Sequence, residues 1–304
     1  MRVAVVGSYG VGMTVRLPRV PVAGETLLGG EFRSGHGGKG SNQAVGASRL
    51  GADVTLLTAV GDDATGREAR EMWAAEGVDA GATITAPAAT MVGLILVEPS
   101  GENRIIIATG ALDHLRPEHV HGFAPQLASA DIVIVSLEVP LDTALAALRT
   151  AHEAGTRTLL NPAPAQPIPD EAWQHIDVLT PNRTESAILL GLTPDTEQPA
   201  ERLARLLHDR SGSTVVMTLG AEGALLCDSK GLTSVEAVAA TEVVDTTGAG
   251  DAFTAALAVE LADGRSLSDA VGFAARVGAY AVAHHEVFPG LPHRADLDPR
   301  PHPA

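Results

Sequence analysis

The chain has 304 residues, 45% hydrophobic, 3% aromatic and 19% charged, with a formal net charge of −16. That length holds one large α/β domain or two smaller ones, with a sizeable core built from Ala, Val, Leu and Ile. The acidic balance disfavours nucleic-acid binding, a lone Cys227 in an apolar run excludes an intramolecular disulfide or a cysteine metal site, and no apolar run reaches the ~18 residues of a membrane span, so a soluble, cytoplasmic protein is expected.

In chain order, short apolar or β-branched runs alternate with helical periodicity. Strands are predicted at 3–6, 54–59, 132–136, 158–161, 178–180, 214–218 and 224–227. Several are apolar throughout, as in strands covered on both faces. Helices are predicted at 42–50, 65–76, 141–154, 185–190, 200–208, 252–261 and 267–284. The alternation predicts right-handed βαβ crossovers and a mainly parallel sheet.

Two stretches break this rhythm. Residues 11–33 are rich in Pro, Gly and β-formers without helical pattern. Residues 83–109 hold strand runs at 90–98 and 104–108 around the turn signal Pro99-Ser100-Gly101-Glu102-Asn103. A small accessory sheet and an ordinary edge hairpin both fit. The tail from Pro289 is rich in Pro and His, poor in core residues and without metal-ligand spacing.

Five motifs carry chemistry. Gly37-Gly38-Lys39-Gly40-Ser41-Asn42-Gln43 is not a P-loop, because Gly40 rather than Ser or Thr follows Lys39. Gly7-Ser8-Tyr9-Gly10-Val11-Gly12 lacks the spacing and the following helix of a dinucleotide fingerprint. Neither a G-x-S-x-G elbow nor a protein-kinase catalytic loop occurs. The Gly37–Gly40 run permits close backbone approach to a ligand, and Asn42 serves either as a helix N-cap or as a contact. Glu138 follows an apolar strand, where α/β sheets bind ligands, or is a solvated loop residue. Asn182 and Glu185 have the spacing of a capping box. Thr218 precedes Gly220 and Gly223, which permit a tight turn. Finally, Asp245-Thr246-Thr247-Gly248-Ala249-Gly250-Asp251 opens an apolar helical run, with free amides facing an anion. Asp251 is there either a carboxylate favoured by the helix dipole or a base for a hydroxyl proton.

These residues resemble the ribokinase, or pfkB, family of sugar kinases. Residues 37–52, GGKGSNQAVGASRLGA, are similar to its first signature, and residues 245–253, DTTGAGDAF, to its second. Asn161-Pro162-Ala163-Pro164 and Thr180-Pro181-Asn182-Arg183-Thr184-Glu185 resemble further blocks in the same order. The resemblance implies a three-layer α/β/α core from 1–10, 34–82 and 110–304, and a β lid from 11–33 and 83–109 that also forms a homodimer interface. It implies ATP-dependent phosphorylation of a primary hydroxyl of a sugar or sugar-like substrate, with a nucleoside as the alternative. An inactive ligand sensor on the same fold is the reading from another class. By the same resemblance Asp251 is the general base, and Gly248, Ala249 and Gly250 form the anion hole. Gly38, Lys39, Asn42 and Glu138 contact the substrate, and Asn182, Thr218, Gly220 and Gly223 the nucleotide. Glu185 holds Mg²⁺ through water, and Asp245 with Thr247 forms half of a site for K⁺.

The chain departs from the family pattern in two places. The Asn and Asp that many members carry after the first strand fall on Gly10 and Gly12, so ribose is not the expected best substrate; Thr14 and Arg16 are nearby sources of different chemistry. Near the end, Glu286-Val287 and Gly290 stand where a Gly-Ala pair and a serine are usual, in the region that lines the cation site.

Overall fold

The computed structural model describes residues 1–100, 103–240 and 242–297. Strand β1 (Arg2–Val6) is followed by β2 (Gly10–Arg16), β3 (Phe32–Gly37) and helix α1 (Lys39–Arg49). Then come β4 (Asp53–Leu57), β5 (Ala59–Gly61), α2 (Ala64–Ala75), β6 (Val78–Asp79), β7 (Ile84–Ala86), β8 (Met91–Val97) and β9 (Asn103–Ala108). The rest runs α3 (Pro117–Ser129), β10 (Ile132–Ser136), α4 (Leu141–Glu153), β11 (Arg157–Asn161), β12 (Val178–Leu179), α5 (Arg183–Leu189) and α6 (Ala200–Ser211). It closes with β13 (Thr214–Thr218), β14 (Ala224–Asp228), β15 (Gly231–Val235), α7 (Ala249–Ala262) and α8 (Leu267–Ala281).

The main sheet has the order β15-β14-β13-β12-β11-β10-β1-β4-β6, parallel except at β13-β14-β15. β1 lies between β10 and β4, and Val3 to Val6 are all buried, as an apolar strand covered on both faces requires. Val3 and Val5 belong to the core cluster that includes residues of α1, α2, α7 and α8; Ala4 and Val6 belong to the one that includes residues of α3, α4, α5 and α6. These are the three layers. Helix α7 is buried from Asp251 to Leu261, so its small apolar residues sit tightly against neighbours all round. A separate four-stranded sheet, β3-β2-β8-β9, pairs β2 and β8 in parallel between two antiparallel hairpins. It is the small accessory sheet that the two arrhythmic stretches suggested.

Some elements differ from the sequence reading. The predicted strand at 54–59 is two, because β5 leaves the main sheet and pairs with β7. Helix α1 starts at Lys39 rather than at 42, with Gly38 as its N-cap. The predicted helix at 267–284 ends at Ala281. Helix α3 is additional: Pro125 lies inside it, yet Val120, Phe123 and Leu127 form a buried face at helical spacing. The edge strand β15 is also additional. Cys227 is buried, and that burial raises its thiol pKa. No helix among the described residues is long and apolar enough to cross a membrane. The Gly101-Glu102 tip of the predicted hairpin turn and the Pro- and His-rich stretch from 298 lie outside the described residues.

Candidate functional site

The glycine run before α1 is shaped by the chain's own backbone. Gly38 has φ 89°, and a Cβ there would lie 2.6 Å from Tyr9 Cα; on Gly40 it would lie 2.5 Å from the Gly7 carbonyl carbon. Without side chains, the start of α1 presses against the β1–β2 connection. The Lys39 amide then donates to Glu138 Oε2 at 2.9 Å, and the Ser8 hydroxyl donates to the same oxygen. Glu138, on the β10–α4 connection, thus takes the first amide of the helix, and the Ser8 carbonyl takes the Ser41 amide at 2.8 Å, the bond a local N-cap side chain would have accepted. This corrects the N-cap reading of Asn42, which sits one turn inside the helix.

Asn42 points to α7 instead. Its Nδ2 donates to Asp251 Oδ2 at 2.8 Å, and Gln43 Nε2 donates to Asp251 Oδ1 at 2.9 Å. All three side chains are buried, Asp251 to 6% exposure. Gln43 also reaches Asn161 Oδ1 at 3.3 Å, and Asn161 Nδ2 donates to the Thr180 carbonyl at 3.2 Å. Sequence reading passed over Gln43, although two adjacent amides in a helix start otherwise made of small residues were a visible signal.

Asp251 opens onto a cavity of about 220 Å³, shared with Lys39, Asn182, Glu185, Thr218 and Gly250. The Asp251 carboxylate raises the Lys39 pKa against the opposing effect of burial, and Glu138 and Glu185 add to it, so the ammonium stays charged. Burial pushes the Glu185 carboxyl up; the Asn182 amide and Lys39 oppose this, and Asp251 adds to it. Asn182 and Glu185 form both halves of the capping box, with Asn182 Oδ1 accepting from the Glu185 amide and Glu185 Oε2 from the Asn182 amide, each at 2.8 Å. The cap and a place on the cavity wall coexist.

The start of α7 closes this cavity. Gly248 is its N-cap with φ 78°, and a Cβ there would lie 2.7 Å from Val287 Cγ1. The Ala249 amide turns back to the Thr246 carbonyl at 3.3 Å, so of the three amides expected to form an anion hole, this one is engaged within the chain. Gly250 has nothing within 4 Å of a Cβ position, so the fold imposes no glycine there. Thr218 and Gly250 also line a second cleft of about 390 Å³, whose walls include Gly220, Gly223, Ala249 and Val282. Its walls are mostly apolar, suited to a flat heteroaromatic group. Gly223 is required by the turn, since its φ is 89° and a Cβ would lie 2.2 Å from the Val235 carbonyl oxygen.

Beyond the same loop, Asp245 Oδ1 accepts from the Thr247 amide at 2.9 Å and Oδ2 from the Glu286 amide at 3.2 Å. Burial raises the Asp245 pKa, but the Thr247 hydroxyl and amide, the Glu286 amide and His285 outweigh it and hold the carboxyl below its usual range. A third cavity of about 180 Å³ separates this loop from the small sheet and is lined by Gly12, Thr14, Arg16, Asp245, Thr247 and Glu286. Of the two bare positions after β1, only Gly12 leaves room: the nearest atom to a Cβ is Ile95 Cδ1 at 3.8 Å, whereas on Gly10 it would meet Met91 Cε at 2.5 Å. A buried carboxylate oriented by two amide donors, next to a cation and a glycine-rich helix start, is suited to removing a hydroxyl proton while charge develops on a neighbouring group.

The family described as pfkB family carbohydrate kinase matches residues 2–294. The chain is 35% identical over 294 residues to the ribokinase of Haemophilus influenzae, covering 96% of this chain and 95% of that one. It is 35% identical over 255 residues to the deoxyribokinase of Salmonella typhi, covering 83% of each. The structure of Arabidopsis thaliana ribokinase complexed with ribose and ATP superposes with a TM-score of 0.90, at 29% identity over 97% of this chain and 96% of that chain.

Proposed function

Because this chain belongs to the pfkB family of carbohydrate kinases, we propose that it transfers the γ-phosphoryl group of ATP to a primary hydroxyl of a sugar or sugar-like polyol. The observation that carries this reading is the buried Asp251 carboxylate, held by Asn42 and Gln43 on the wall of the cavity that also receives Lys39 and Gly250. Asp251 takes the hydroxyl proton as the oxygen attacks the γ-phosphorus, and the bond from that phosphorus to the β,γ-bridging oxygen breaks, so that ADP leaves. The Gly248 and Gly250 amides and the Lys39 ammonium face the charge on the transferred group, since phosphoryl transfer rests mainly on positioning and electrostatics. The apolar cleft beside Thr218, Gly220 and Gly223 takes the base of the nucleotide, and Asn182 lies toward its phosphates. A glycine-rich helix start together with an oriented base speaks against an inactive sensor.

Magnesium fits the donors present. Glu185 spends Oε2 on the capping box, which leaves Oε1 for a water of the ion's shell, and one or two carboxylates with phosphate oxygens are its usual set. When bound it neutralises phosphate charge. Potassium fits less well, because Gly290 brings no side-chain oxygen to the half-site that Asp245 and Thr247 would form.

We assign the enzyme to the cytoplasm as a homodimer that joins through the small sheet acting as a lid. The edge strand β9 exposes Ile105, Ile106 and Ile107 at 48–58%, a flat apolar edge that a second copy would cover. Sedimentation velocity is expected to give the mass of two chains, and Ile106→Lys the mass of one. A wild-type mass of one chain would end this assignment.

The substrate is tested by kinetics with D-ribose, 2-deoxy-D-ribose, D-fructose, ribitol, adenosine and inosine. Gly12 leaves space and brings no acceptor from β2, and losing or displacing a hydrogen bond to a charged partner weakens binding about ten- to hundredfold. Efficiency on D-ribose is therefore expected to fall below that on a larger or differently substituted compound; a nucleoside would fill the same space. If D-ribose has the highest kcat/KM, the substrate reading fails; if nothing in the panel turns over, the kinase proposal fails.

A further inference from the structure

Among the described residues, Glu286 is the one non-glycine residue with a left-handed backbone, φ 65°. A long L side chain is disfavoured there and persists only where its surroundings impose it. The surroundings are specific: the Glu286 amide donates to Asp245, and Val287 occupies the space beside Gly248. The result is a side chain sent toward the small sheet, with Oε2 only 3.8 Å from where a Cβ on Gly35 would stand.

Gly35 is the cross-strand partner of Gly12. Directly opposed residues of an antiparallel pair carry their side-chain positions on one face. The Glu286 carboxylate therefore stands over the bare patch that Gly12 and Gly35 leave on the sheet, and all three residues line the same cavity. No hydrogen bond or ion pair is found for this carboxylate among the described residues. Arg16 and Arg33 line the cavity too, but both are engaged by Glu31, at 3.7 and 2.6 Å.

We propose that Glu286 is a specificity-determining residue: its carboxylate accepts hydrogen bonds from substrate hydroxyls remote from the one phosphorylated, and it rejects substrates that carry an anionic group at that end. This rests on the reading of the site as a carbohydrate kinase. The two departures from the family pattern are then one exchange, in which the acceptor has moved from β2 to the loop after α8. A neutral, polyhydroxylated substrate meets a carboxylate here, while a sugar acid meets like charge.

The experiment compares wild type, Glu286→Gln and Glu286→Gly on the neutral panel above and on D-gluconate, with melting curves to confirm folding. For the compound that wild type uses best, both variants are expected to raise KM about ten- to hundredfold while kcat falls far less. KM for ATP stays in place, and discrimination against D-gluconate weakens. Gly12→Asp is expected to improve KM more in the Glu286→Gly background than in wild type, where two carboxylates would share one face. An unchanged KM in both variants, or a loss confined to kcat, overturns the assignment and leaves the kinase reading standing. No turnover of any compound by wild type overturns both.

Discussion

Asp251→Asn is expected to lower kcat by about 10²–10⁴-fold, the usual contribution of a positioned general base, while ATP affinity stays within a few-fold. The fold should survive the change. Asp251 is buried and accepts from Asn42 and Gln43, so an amide at this position would set NH₂ against NH₂. However, Asn42 Oδ1 is buried without a partner among the described residues, so a flip of the Asn42 amide turns an acceptor toward the new donor while Gln43 keeps its bonds. Hydrogen bonding is kept and basicity is lost. Single-turnover kinetics and calorimetric titration with ATP separate the two quantities. Activity within a few-fold of wild type would remove the base assignment from Asp251.

Gly250→Val is expected to cut kcat by about 10²–10³-fold, comparable to the loss of a donor to developing negative charge, and to weaken ATP. Nothing lies within 4 Å of the Cβ position, and Gly250 carries no left-handed φ, so the branched side chain enters the space that the Asp251 cavity shares with the apolar cleft without forcing the backbone. A melting temperature near wild type should accompany the loss. Gly248 offers no such test, because its φ of 78° and its contact with Val287 make any side chain a folding defect. Unchanged constants in Gly250→Val would remove the anion hole from this segment.

The alternation of strand and helix was legible because both periodicities are local. Strands β10 and β13 lie where apolar runs predicted them, since a strand covered on both faces needs no partner to look apolar. The capping box at Asn182 was legible for the same reason, as its donors and acceptors are three residues apart. Helix α3 was hidden by Pro125, and β5 by running on from β4 without a turn signal.

The site was legible as a set of groups and not as an arrangement. By local rules Asn42 is a sound N-cap; that the helix starts at Lys39 instead, with its amide on Glu138, depends on a residue 99 positions away. Gly10 and Gly12 are equally bare in the sequence, and only Met91 tells them apart. By itself the sequence determined the strand–helix alternation, the family and the chemical inventory: a carboxylate after a glycine-rich turn, a lysine, two asparagines and a capped glutamate. The tertiary structure decided which of these meet, joining Asn42 to Asp251 across 209 positions and turning Glu286 over Gly35. The physical reason is range. Propensity and periodicity act within a few residues, whereas a hydrogen bond acts over about 3 Å in space and takes no account of separation along the chain.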